Sequence, residues 1–96
     1  MRLMMTIKIP VEHGNKAFAD GSMQKAFEAL MERLKPEAAY FMMLDGQRAA
    51  VLFYEARDEF RIFEAHEPML AAMGALIDET PALSWEDMAR GFTDMR

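Results

Sequence analysis

The sequence predicts a single α+β domain with the element order β-α-β-β-α-β and a short helix at its end. Three observations carry that prediction. They are a period-two start, two long stretches with helical spacing, and an Asp-Gly pair set between two apolar runs. Ninety-six residues give room for one domain and one modest core.

Residues 3–9 alternate, with Leu3, Met5, Ile7 and Ile9 on one side and Met4, Thr6 and Lys8 on the other, and Pro10 stops the strand. Residues 13–20 are compatible with a helix. Gly21 interrupts it, and Ser22 is the expected N-cap of the next. Beyond it, Met23, Ala26, Phe27, Leu30, Met31 and Leu34 recur at helical spacing, while Gln24, Lys25, Glu28 and Glu32 cover the opposite side. Lys35 suits the negative end of the helix dipole, and Pro36 blocks continuation.

Residues 38–44 and 49–54 read as strands. Between them Asp45-Gly46 supplies the positive φ angles of a tight hairpin, with Gln47 and Arg48 leading out. Residues 57–73 read as a helix with Asp58 as cap or dipole partner. Pro68 removes the amide that would bond the Glu64 carbonyl, which predicts a kink or a break. Gly74 ends this helix. Residues 75–83 contain Pro81, which suits only an edge strand or a bulge. Ser84-Trp85-Glu86-Asp87 has the form of a capping box and opens a short helix toward Gly91.

This order places both main helices on one face of a four-stranded antiparallel sheet and leaves the other face bare. A bare face meeting water reads polar. Here both alternating sets of residues 39–44 and 49–54 are apolar, and only the first strand, with Thr6 and Lys8, has a polar side. With 52% of the residues hydrophobic in so short a chain, a covering layer is expected. A second copy supplies it, making a homodimer through the open sheet face. The alternative, the terminal helix folding back, offers one or two turns for a whole sheet.

A net charge of −5 with scattered Lys and Arg opposes nucleic-acid binding, which needs clustered positive charge. Zero cysteines exclude disulfides, zinc thiolates and thiol nucleophiles. The first ten residues lack a long apolar stretch and a small-residue cleavage site, and no segment approaches the roughly 20 apolar residues of a membrane span. A cytoplasmic location is the expectation, with no membrane contact.

The chain resembles the dimeric α+β barrel superfamily, in which two ferredoxin-like βαββαβ sheets pack face to face. More locally it is similar to a group of short bacterial proteins without an established activity. The pieces that carry this likeness are Pro10-Val11-Glu12, Gly14-Asn15, Asp20-Gly21-Ser22, the run from Lys35 through Pro36, Glu37, Ala38, Ala39 and Tyr40 to Phe41, Asp45-Gly46, Glu67-Pro68 and Thr80-Pro81. The resemblance implies the ferredoxin-like fold and the dimer. It also implies a pocket between helices and sheet, where cofactor-free monooxygenases and haem-degrading oxygenases of similar build have theirs.

His66 is the first candidate for chemistry. On a helical wheel it falls among Ile62, Phe63, Met69, Leu70 and Met73, directed toward the sheet. It is either a core histidine hydrogen-bonded to backbone, such as the carbonyl freed by Pro68, or an acid/base group in a pocket. Lys8 is a candidate for holding an anion or for a lowered pKa; pairing with a carboxylate across the dimer is the competing expectation. Tyr40 and Tyr54 have hydroxyls to offer a pocket, and Asn15 is a candidate to orient a substrate or organise a turn. His13 reads as a solvated loop residue. No metal-ligand spacing, Gly-rich phosphate loop or nucleophile-base pair stands out, so no metal and no cofactor is implied. The eleven methionines read as adaptable packing. Three functions fit: a small-ligand module with an apolar pocket, a cofactor-independent oxygenase or isomerase using His66, and a structural or regulatory oligomer.

Overall fold

The computed structural model describes residues 1–57 and 59–95, and the side chains of all of these except 59–62. Strand β1 spans Arg2–Ile9, helices α1 and α2 span Val11–Asp20 and Ser22–Leu34, and strands β2 and β3 span Ala38–Leu44 and Gln47–Glu55. Helix α3 covers Glu59–Met73, β4 Leu76–Pro81 and α4 Trp85–Asp94. The sheet order is β2-β3-β1-β4 with every neighbouring pair antiparallel, which is the ferredoxin-like arrangement.

β1 alternates without exception, its odd positions buried and its even positions half-buried. Leu3, Met5, Ile7 and Ile9 form one core with Leu52, Leu30 and, from α3, Ala65, Met69 and Met73. The hairpin closes in two residues, since Leu44 pairs with Gln47 and both Asp45 (φ 53°) and Gly46 (φ 74°) take the left-handed conformation. Strand β3 therefore begins at Gln47, two residues before the predicted start.

Several local expectations are corrected. α1 begins at Val11, directly after Pro10, so His13 is helical and not in a loop. Ser22 is the first residue of α2 rather than its cap. Gly21, at φ 82°, makes the turn itself, and the Ser22 amide donates to Asp20 Oδ1 at 2.8 Å. α3 runs unbroken through Pro68. The carbonyl that Pro68 leaves unbonded belongs to Glu64, and both residues are exposed, so water can satisfy it and no break is required. The predicted cap at Asp58 lies outside the described residues. Pro81 sits at the end of β4, an edge strand, where its missing amide is tolerated.

α4 opens with the predicted capping box. Asp87 N–H donates to Ser84 Oγ at 3.1 Å, and Ser84 N–H donates to Asp87 Oδ2 at 3.0 Å. The bonds from Ser84 hold the Asp87 carboxyl below the usual carboxylate range. Yet none of the residues of α4 is buried. The radius of gyration is 15.1 Å, against about 13 Å for a compact chain of about 100 residues. The longest dimension is 53 Å. A nine-residue strand accounts for about 30 Å of that.

Candidate functional site

Pairing register assigns every strand residue to a face. Leu3, Met5 and Ile7 of β1 lie opposite Tyr54, Leu52 and Ala50 of β3, and opposite Pro81, Glu79 and Ile77 of β4. These residues face the helices. The open face carries the alternate set, and it divides in two. Its β1–β4 half is mixed, with Thr6, Lys8, Asp78 and Thr80 beside Met4 and Leu76, whereas its β2–β3 half is apolar over Tyr40, Met42, Leu44, Val51 and Phe53 and ends in Glu55, opposite Arg2.

Of the predicted site residues, His66 and Tyr54 come together on the helix side. Tyr54 is 2% exposed, and its hydroxyl reaches across β1 to donate to Glu79 Oε1. Burial, reinforced by the Glu79 carboxylate, pushes that hydroxyl far above the ordinary tyrosine range. His66 approaches the same oxygen from α3. Its Nε2 lies 3.8 Å from Glu79 Oε1, beyond hydrogen-bond reach, and it has no hydrogen-bond partner among the described residues. The imidazole also meets the edge of Phe63, with ring centroids 6.1 Å apart. Tyr54, Glu79 and His66 thus form a shielded polar row between β3, β4 and α3. Such a row can store a proton or pass one along when it is opened to a substrate.

Glu79 was not among the sequence candidates. A signal for it exists: Ala75, just before β4, and Ile77 and Glu79 within it fall at every second position, and an acid in step with two apolar residues is itself directed inward.

The other candidates lie elsewhere. Lys8 and Tyr40 are on the open face, and Tyr40 is 59% exposed. Lys8 Nζ donates to Asp45 Oδ2 at 2.8 Å within the same chain, and that bond raises the lysine pKa while lowering that of Asp45. The expected lowering at Lys8 is thereby reversed, because the ammonium finds a carboxylate in the hairpin turn that antiparallel pairing brings beside it. Asn15, on α1, accepts from Arg48 Nη1 at 3.1 Å, and the same guanidinium lies 5.7 Å from the centroid of the Phe18 ring. These contacts hold α1 to β3. No cluster of three metal-ligating side chains occurs among the described residues.

A cleft of about 300 Å³ opens on the bare side of the sheet, where α4 departs. Ala38 and Phe53 line it on the sheet side and Ala82, Leu83 and Ser84 on the side of the chain leading into α4. Arg2 spans its mouth, bonded to Glu37 through Nε and lying 3.4 Å from Asp87 through Nη1.

No protein-family model and no curated protein matches the chain. Among solved structures it is similar to the de novo designed protein Ferredog-Diesel, with a TM-score of 0.48 and 15% identity over 84% of this chain and 85% of that one. No helix among the described residues is long and apolar enough to cross a membrane.

Proposed function

We propose that this protein is a homodimeric small-ligand module of the dimeric α+β barrel kind, in which two open sheet faces close over each other and enclose an apolar chamber. The apolar β2–β3 half of the open face, with Tyr40 59% exposed and no helix buried against it among the described residues, supports this reading. On the helix side, the space beneath α2 and α3 holds Met5, Ile7, Leu52, Met69 and Met73, all fully buried. The cleft at Arg2, Ala38 and Phe53 lies on the opposite side, which supports a chamber between the two sheets of the proposed dimer rather than under the helices.

Light scattering at micromolar concentration tests the dimer, with a mass twice 11.0 kDa expected. A monomer overturns the reading. Val51→Lys puts an unpaired charge into the closed face, at a cost of several kcal/mol, and weakens dimerisation by about a hundredfold or more.

Acid/base chemistry at His66 is a second reading, favoured by the position of its unpartnered Nε2 beside Glu79 and Tyr54. Titration of the dimer with an apolar naphthalene-sulfonate dye separates the two. Ala38→Trp fills the cleft and is expected to abolish saturable binding while the mass stays dimeric. Binding that survives Ala38→Trp but is lost in a folded His66→Ala variant moves the ligand to the helix side.

A further inference from the structure

β2 is an edge of the sheet, and among the described residues no strand pairs with its outer side. Natural edge strands are blunted by charge, proline, bulges or short length. The opposite edge, β4, has such devices, with Pro81 at its end, Asp78 within it and Glu79 directed inward. β2 has none of them. Its seven residues, Ala38–Leu44, include no charge, proline or glycine, and they pair with β3 in unbroken register, so no bulge turns the edge away.

The register also fixes where the main-chain groups of β2 point. A two-residue hairpin closes on a hydrogen-bonded pair, here Leu44 and Gln47. Bonded and non-bonded pairs alternate along an antiparallel ladder. Met42 and Tyr40 are therefore bonded to β3, while Ala39, Phe41 and Met43 turn their N–H and C=O groups outward. The far end of the ladder agrees, since the Phe53 carbonyl is directed to β2 and accepts from the Glu37 amide at 2.8 Å. The side chains at this edge are apolar on both faces. Tyr40 stands exposed on the open face. On the helix side Phe41 is 61% exposed and Met43 65%, although Phe41 rests edge to face on Phe27 of α2 with centroids 5.3 Å apart.

A matching occupant offers donors and acceptors in line and apolar side chains to both faces, which describes a strand. β2 itself meets both conditions. Laid antiparallel to a second β2 on a two-fold axis at Phe41, its outward residues meet as Phe41 with Phe41 and Ala39 with Met43, each pair exchanging both hydrogen bonds. An axis at Tyr40 or Met42 forms fewer such pairs. At the ends Glu37 comes opposite Asp45 of the second copy, and each of these acids is already paired within its own chain, with Arg2 and Lys8 respectively.

We infer that the outer edge of β2 is a self-pairing surface: two copies join β2 to β2, antiparallel about Phe41, into one continuous sheet. This goes beyond the closure of open faces proposed above, because it uses the side of β2 and not its face, and neither contact requires the other. A two-fold pairing uses each β2 once, and the blunted β4 edge stops growth along the sheet. A contact along one strand falls at the small end of protein interfaces, below about 1,200 Å² in total, so pairing is expected at about hundreds of micromolar chain and not at micromolar.

The test uses the Val51→Lys chain, in which the open-face contact is weakened. Light scattering is expected to give the mass of one chain at micromolar concentration and twice 11.0 kDa near the upper end of that range. Phe41→Lys and Phe41→Glu, added separately to this chain, each set like charges against one another on the axis, and neither is expected to pair. An equal mixture of the two is expected to pair at least about tenfold more tightly than either alone. A mixture that stays monomeric overturns the inference, as does either variant pairing with itself as well as its parent. Because the chain has no cysteine, mild oxidation gives a second probe. Tyr40→Cys and Met42→Cys chains are expected to cross-link to each other in preference to themselves, since this register sets positions 40 and 42 directly opposite. Cross-links only between identical chains, or none, overturn the register and the pairing. A Val51→Lys chain that stays monomeric throughout overturns the edge contact alone, because the open-face dimer is judged from the mass of the unaltered protein at micromolar concentration.

Discussion

Met5→Ala is expected to cost about 2–5 kcal/mol of unfolding free energy, and Met4→Ala well under half of that, although the two residues adjoin. Met5 is 0% exposed at the centre of the sheet, flanked by Leu52 on β3 and Glu79 on β4 and covered by α3. Truncating it removes dispersion contacts and leaves a cavity that the surrounding strands cannot close. Met4 points to the open face, pairs with Phe53 and Thr80, and is only half-buried. Urea denaturation of both variants in the Val51→Lys background is the measurement, so that loss of a partner does not enter the comparison. A domain of this size has about 5–15 kcal/mol in total, so the Met5 variant is expected near the edge of stability. Equal losses at the two positions would show that the register places β1 the wrong way round.

Tyr54→Phe is expected to remove about 1–3 kcal/mol at neutral pH and to change how stability responds to alkali. The hydroxyl is buried and donates to the Glu79 carboxylate, and its pKa in the folded protein is raised above the unfolded value of about 10. A raised pKa means that the folded state keeps its proton longer. The contribution is therefore whole below about pH 10. Above that, the unfolded chain releases the proton first, and stability falls by about 1.4 kcal/mol per pH unit from this one group. The phenylalanine variant lacks that proton, so its stability curve between pH 10 and 11.5 should be flatter by about one proton's slope. Parallel curves for the two proteins would sink the assignment. Every group other than Tyr54 is common to both proteins and cancels in the difference.

Much of the fold was legible because its signals are local. The β1 alternation, the α2 spacing and the Asp45-Gly46 turn each depend on residues within one element, and the structure reproduces them. The errors arose where a neighbour changed the local rule. Ser22 has the chemistry of a cap, but Gly21 can adopt a left-handed angle that starts α2 one residue sooner. Pro68 was expected to kink or break its helix; the helix is not broken there, and the Glu64 carbonyl left without its amide belongs to an exposed turn. The candidate site was legible only in part. His66 and Tyr54 were identified from residue type and position, whereas Glu79, which joins them, sits on a short edge strand. It touches Tyr54 only because β1 lies between their strands in space, though not in sequence.

The sequence by itself determined the class and order of elements, the Asp45-Gly46 turn and the capped terminal helix. Periodicity, turn chemistry and missing donors act over a few residues, so a linear reading captures them. The tertiary structure alone decided that Lys8 pairs with Asp45 and that Tyr54 and His66 converge on Glu79. It also decided that no residue of α4 is buried. Each of these depends on register and on the direction in which an element leaves the sheet, and those are set by contacts between residues far apart in the chain.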